Sequence, residues 1–213
     1  MEITWYGHSC FRMIERGVAS VVTDPYDESI GYPLPRLRAD IVTVSHDAPG
    51  HNAVDNVQRV QHPLTRPGEY EVGGLFITGV DTYNPDKKDK IRRKIIFVFD
   101  FDGLTIGHLG DLDHVPSSSQ IESLGPLDVL LTPVGGGAAL TSGQAAEVIS
   151  LIEPSLVIPM HYHTPYCGAL KLDPVDKFLK EMGVSEANVQ ESLKVTPSSL
   201  PEDTQIIVLT YEH

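Results

Sequence analysis

One α/β domain, sheet packed with helix, is the fold class that the sequence predicts, on three observations. The first half of the chain reads as short strands cut by turns, the middle carries an Asp-Gly hairpin, and the second half alternates strands with helices. A length of 213 residues suffices for one substantial core and lies within the range of single-domain sandwiches, so residues 1–213 are expected to form one domain.

The elements follow in chain order. Ile3–Tyr6, Cys10–Ile14, Ala19–Thr23, Ile41–Ser45 and Gly74–Thr78 combine alternation with β-branched content and Gly or Pro punctuation, which predicts strands. Pro33–Asp40 reads as a helix-poor connector. Two apolar runs, Lys94–Phe101 and Leu104–His108, flank Asp102-Gly103, the strongest short-range hairpin signal. Asp128–Thr132 is a strand of buried type, followed by Gly135–Gly137 and a helix over Thr141–Ile152, in which Thr141 is the N-cap and Gln144 closes a capping box. Ser155–Pro159 is another strand, Pro174–Met182 a helix stopped by Gly183, and Thr204–Thr210 the last strand. No repeat of fixed period and no low-complexity linker divides the chain.

Composition narrows the function classes. An apolar fraction of 41% with 21% charged residues is that of a folded soluble protein. The formal charge is −13, and basic residues gather only at Lys87, Lys88, Lys90, Arg92, Arg93 and Lys94. Phosphate neutralisation needs an extended positive footprint, so nucleic acid is not an expected partner and this cluster reads as a solvated loop-to-strand junction. Cys10 and Cys167 lack CxxC or CxxH spacing, which fits a reducing cytoplasm. No basic n-region precedes an apolar stretch, and no run approaches the roughly 18 apolar residues of a membrane span, so neither secretion nor membrane insertion is expected.

Nine histidines exceed what packing requires. Three clusters follow strands: Ser45–Asn52 with His46 and His51, Gly107–His114 with His108, Asp111 and His114, and Ile158–His163 with His161. One strand-end histidine usually serves a local hydrogen bond. Three such clusters together point to a functional site, because borderline divalent ions take imidazole nitrogen and carboxylate oxygen from separate elements. Gly135–Gly137 resembles an anion-binding nest, but without GxxxxGK[ST] the preferred reading is a turn.

A set of ordered motifs runs nearly end to end: GlyHisSerCys near the start, ThrAspProTyr at Thr23–Tyr26, SerHis at Ser45 and His46, ProGlyGluTyr at Pro67–Tyr70, HisLeuGlyAsp at His108–Asp111, and IleProMetHisTyr at Ile158–Tyr162. On these the chain resembles the metallo-β-lactamase superfamily, in its ascorbate-6-phosphate-lactonase-like branch. The resemblance implies a four-layer αββα sandwich of the metallo-β-lactamase-like fold, an α/β architecture, and a metal-dependent hydrolase. It also implies the family's tendency to form homo-oligomers.

The same resemblance assigns residues. The family's His-X-His-X-Asp-His loop places His46 first and His51 last, with Ala48 and Gly50 where a histidine and an aspartate are expected. A further family histidine falls on Asn84, the bridging aspartate on Asp111 and the final histidine on His161. The first metal position would draw on His46, Ala48 and Asn84, of which Ala48 has no donor and Asn84 is a poor one, so it is expected empty. The second retains His51, Asp111 and His161, with His46 as a candidate fourth donor, and three protein donors suffice for a catalytic ion. Gly50 removes the carboxylate that orients water in the family, leaving the catalytic residue unassigned. His8, Asp24, Tyr83, Asn84, His108 and His114 are expected to line the cleft, while His62 and His163 read as local hydrogen-bonding residues. The expectation is at most one zinc or manganese ion and a small ester, lactone or phosphorylated metabolite as substrate. The alternative is a non-catalytic member that binds a ligand or partner, and a nucleic-acid-processing role ranks third.

Overall fold

The computed structural model describes residues 1–82, 94–168 and 170–212. Its elements are β1 (Glu2–Trp5), β2 (Phe11–Ile14), β3 (Val21–Thr23), β4 (Leu37–Arg38), β5 (Ile41–Thr43), β6 (Val57–Gln58), β7 (His62–Leu64), β8 (Gly68–Val72), β9 (Leu75–Thr82), β10 (Lys94–Asp100) and β11 (Thr105–His108). There follow α1 (Ser118–Leu124), β12 (Val129–Pro133), α2 (Ser142–Ile152), β13 (Leu156–Met160), α3 (Val175–Glu181), β14 (Asn188–Gln190), β15 (Ser192–Lys194) and β16 (Gln205–Leu209). Among the described residues two large sheets form, ordered β15-β1-β2-β3-β5-β7 and β14-β16-β13-β12-β11-β10-β9-β8, with a small β4-β6 pair beside them.

Period-two alternation sends Ile3, Trp5, Phe11, Met13, Val21 and Ile41 of the first sheet into one core with Leu75, Ile77, Phe97 and Phe99 of the second. A fully buried side chain of this size contributes roughly 1.5–3 kcal/mol, so this shared layer is the main force joining the sheets. Val22, Val42 and Cys10 turn the other way, onto Tyr26, Tyr32, Leu37 and Val57. The outer layer of the first sheet is therefore built largely from loops and short helical turns. The second sheet is accompanied by helices: α1 meets β9, and α2 meets β12 and α3.

Local signals account for the best-read elements. Asp102 and Gly103 both take positive φ, 54° and 84°, as a two-residue hairpin turn demands, and Phe101 and Leu104 exchange both backbone hydrogen bonds across it. Thr141 and Gln144 form the expected capping box, with Gln144 N–H donating to Thr141 Oγ1 at 3.4 Å and Thr141 N–H to Gln144 Oε1 at 3.1 Å. Helix α3 stops at Gly183, which takes φ 71°.

The topology places the site. Strands β3, β5 and β7 run parallel in one sheet, and β11, β12, β13 and β16 run parallel in the other. Asp24, His46, Asp111 and His161 each lie one to three residues beyond the C-terminal end of such a strand, the edge where open parallel sheets gather ligands. The two sheets are tied there by the His161 N–H donating to the His8 carbonyl at 3.1 Å and the Ile95 N–H to the Ser45 carbonyl at 2.9 Å.

Candidate metal centre

Four donor atoms converge between the sheets. His8, His51, Asp111 and His161 each offer one ligand atom, all within 4.8 Å of one another, and all four residues are buried. His8 sits in the β1–β2 turn, His51 in the loop after β5, Asp111 after β11 and His161 after β13. His8, Asp24 and His161 hold φ of 50°, 40° and 52°, left-handed backbone that costs a β-carbon residue about 1–3 kcal/mol and clusters at functional sites.

Glycines make these positions reachable. A Cβ on Gly135 would lie 2.3 Å from the His161 carbonyl oxygen and 2.7 Å from Tyr162 Cα, so only glycine lets its loop press against the His161 backbone. The Gly135 N–H donates to that same carbonyl and the Gly136 N–H to the Leu140 carbonyl, which makes this loop a support for His161 in place of an anion nest.

Asp24 sets the proton positions. Fully buried, it accepts from Ser45 N–H at 2.7 Å, Ser45 Oγ at 2.6 Å and His51 Nδ1 at 2.9 Å. An ionised carboxylate is an acceptor only, so Nδ1 of His51 carries a proton and Nε2 is the nitrogen turned to the cluster, offering its lone pair when it ligates an ion. The Ser45 hydroxyl, spent on Asp24, can only accept from His46 Nδ1, 3.1 Å away, and the Nε2 lone pair of His46 is left open as well. Despite the penalty of burial, the imidazoles around Asp24 hold its carboxyl below the usual range.

At the centre, Nε2 of His51 and of His161 approach Asp111 Oδ1 to 3.3 and 3.1 Å, and His8 Nε2 lies 3.2 Å from His51 Nε2. Among the described residues Asp111 Oδ1 is nonetheless buried without a properly angled hydrogen bond, and His8 Nδ1 and His161 Nδ1 have no hydrogen-bond partner. Two imidazole nitrogens thus close on Asp111 Oδ1 without hydrogen-bond alignment, as atoms aimed at a common point do. Donors about 2.0–2.1 Å from a tetrahedral zinc ion stand about 3.3 Å apart; the three contacts of 3.1–3.3 Å match that spacing, and the whole set, within 4.8 Å, is of a size to close on a single divalent metal ion. Burial opposes charge on His51, yet the Asp111 and Asp24 carboxylates outweigh it and push the ring up to about 10. Burial and neighbouring imidazoles hold His8 well below its usual range, and burial brings His46 down to about 4.

The remaining expected residues distribute unevenly. His51, Asp111 and His161 come together, but the fourth place in the compact set is filled by His8. His46, the candidate fourth donor, stands beside them, with Nε2 3.7 Å from Asp111 Oδ2 and its ring half-buried. His108 donates from Nε2 to the Ser9 carbonyl at 2.9 Å, beneath the cluster. His114 bonds Asp113 at 3.0 Å and does not join the four. Ala48 and Gly50 supply no donor, and His62 and His163 are exposed. Tyr83, Asn84 and the basic residues at positions 87–93 lie outside the described residues. Lys94 departs from the solvated junction expected of it: Nζ donates to the Asp111 carbonyl and to the Ala138 carbonyl and lies 3.6 Å from Asp113 Oδ2. Neither this inward turn nor the bridging role of Ser45 was expected from the sequence, where one is the end of a charge run and the other a polar residue at a strand end.

The chain is similar to known proteins. A β-lactamase superfamily domain model matches residues 2–161. A crystal structure of a metallo-β-lactamase-superfamily protein from Thermotoga maritima is 36% identical, with TM-score 0.79, covering 98% of this chain and 97% of that one. A protein from Archaeoglobus fulgidus named as a metal-dependent hydrolase is 26% identical over 218 residues, 86% of this chain and 93% of the relative. Igni18, a metallo hydrolase from Ignicoccus hospitalis, shares the fold with TM-score 0.67 at 20% identity, covering 92% of this chain and 99% of that one. The chain belongs to the β-lactamase superfamily, whose domain spans most of its length.

Proposed function

We propose that this chain is a hydrolase dependent on one divalent metal ion, acting on a small ester, lactone or phosphorylated metabolite. The observation that carries this reading is the convergence of His8, His51, Asp111 and His161, with Asp24 fixing the tautomer of His51 from behind. Family membership and relatives named as metal-dependent hydrolases support it. When bound, the ion supplies Lewis acidity toward a carbonyl or phosphoryl oxygen and eases the ionisation of water.

The chain's own residues supply positioning and proton handling. His46 is the group of this cluster nearest solvent, and its Nε2 lone pair is left free by the bond of Nδ1 to Ser45. It can therefore accept a proton from water at the mouth of the site, the work that a carboxylate at position 50 would otherwise perform. Lys94 holds the Asp111 and Ala138 carbonyls together, which fixes the loop bearing Asp111. Burial of the four donors shields their common point from bulk water.

One observation favours the second reading, a binding protein without turnover. Four protein donors complete a tetrahedral shell, and catalytic zinc ordinarily keeps one position open, although it expands to five-coordination during reaction. The test is hydrolysis of aryl esters, lactones and phosphate esters by metal-loaded protein. Turnover of one class, abolished by chelation, restored by metal and reduced about 10²-fold or more in His46→Ala, is expected. Absence of turnover above buffer with one metal equivalent bound would overturn the hydrolase in favour of the binding protein.

A further inference from the structure

Position 50 and His8 compete for one volume. The resemblance expects an aspartate at position 50 as a metal ligand, and this chain has Gly50. Its backbone does not demand glycine, since φ is outside the left-handed region. A Cβ there would lie 2.9 Å from His8 Nε2, 3.2 Å from His8 Cδ2 and 2.8 Å from Ile30 Cδ1. The imidazole of His8 occupies the path that a side chain from position 50 would take toward the cluster.

His8 is built into that place. Its carbonyl accepts from Trp5 Nε1 and from the His161 N–H, both at 3.1 Å, and its backbone is held at φ 50°. The ring packs against His161 and His51, with centroids 4.3 and 4.8 Å away, and is 4% exposed. Among the described residues Nδ1 has no hydrogen-bond partner, and Nε2 faces His51 Nε2. Two imidazole nitrogens 3.2 Å apart, one of them in a ring whose other nitrogen already donates to Asp24, share either a proton or a cation.

We infer that His8 replaces the lost position-50 carboxylate as a metal ligand, turning the site into a nitrogen-rich set of three imidazoles and one carboxylate. The inference rests on the reading that the cluster binds metal. Exchanging an oxygen donor for imidazole removes one negative charge and softens the site, so it selects zinc, cobalt, nickel or ferrous ions over manganese and magnesium. The small residue at position 50 is then a condition for the histidine ligand. Restoring an aspartate there, while His8 remains, damages the site.

The test compares the parent with His8→Ala, Gly50→Asp and the double variant. Zinc affinity is measured by chelator competition, and the visible spectrum of the cobalt-loaded protein reports the donor set. Each single variant is expected to bind zinc at least about tenfold more weakly and to change the cobalt bands. The double variant, with room for the carboxylate, is expected to bind more tightly than either single and to gain manganese relative to zinc. His8→Ala with the parent's affinity and cobalt spectrum would overturn the inference. If a single variant fails to fold, Gly50→Ala carries the same test, because its Cβ displaces the His8 ring, and unchanged affinity there overturns the inference equally. Failure of the parent itself to bind metal would instead overturn the functional reading.

Discussion

Replacing Asp24 by asparagine or alanine separates the support of the fold from the preparation of the metal site. The carboxylate accepts three hydrogen bonds in a fully buried setting, from Ser45 N–H, Ser45 Oγ and His51 Nδ1. Alanine leaves three buried donors without an acceptor, at about 1–3 kcal/mol each. Relief of the carboxylate's own desolvation offsets part of this, so a net loss of about 3–5 kcal/mol is expected, the range for breaking a buried charged pair. Asparagine keeps an oxygen for the Ser45 N–H, while its amide donates toward His51 Nδ1. That drives the His51 proton onto Nε2, where it faces the cluster and blocks coordination. Asp24→Asn is therefore expected to retain more stability than Asp24→Ala while losing zinc affinity about 10–100-fold. Urea unfolding and chelator competition measure the two effects separately. Parent-like zinc affinity in Asp24→Asn would refute the claim that Asp24 prepares His51 for metal.

Other expectations follow from the same contacts. Gly135→Ala places a Cβ 2.3 Å from the His161 carbonyl oxygen, and the displaced backbone is expected to cost more than about 2 kcal/mol in urea unfolding and to weaken zinc binding. Thr141→Ala removes the N-cap of α2 and should cost about 1 kcal/mol in thermal unfolding with zinc affinity unchanged, so a loss of metal would contradict the independence of helix and site. Asp40 accepts from Ser20 N–H at 2.8 Å and Ser20 Oγ at 2.7 Å, which holds its carboxyl below the usual range. Its stabilisation is accordingly present above the unfolded value of about 3.9 and lost as pH falls through the lower folded value. The gap of about 1–2 kcal/mol between parent and Asp40→Ala should close toward acid, and a gap that widened there would reverse the sign of the linkage.

What the sequence disclosed and what it withheld divide along range of interaction. The Asp102-Gly103 turn and the Thr141–Gln144 box are local, and residues within four positions settle them. Two further elements rest on equally local signals: Gly73-Gly74, which turns β8 into β9 with φ of 54° and 80°, and Ser117 with Gln120, which caps α1. β14 and β15 carry little such signal. They are three-residue edge strands, and β15 forms by pairing with β1 at the far end of the chain. In the site, His51, Asp111 and His161 were legible because each stands in a short motif after a strand. The contest between His8 and Gly50 was not, because it exists only through space, between a turn and a loop of different β-connections. The loss at position 50 was visible, and the ring that fills the space was not.

The most direct test of the account is the metal content of protein dialysed against zinc, measured by elemental analysis. One equivalent per chain is predicted, lost on chelation and regained on addition. Two equivalents, or less than about a tenth of one, would contradict a single centre held by His8, His51, Asp111 and His161.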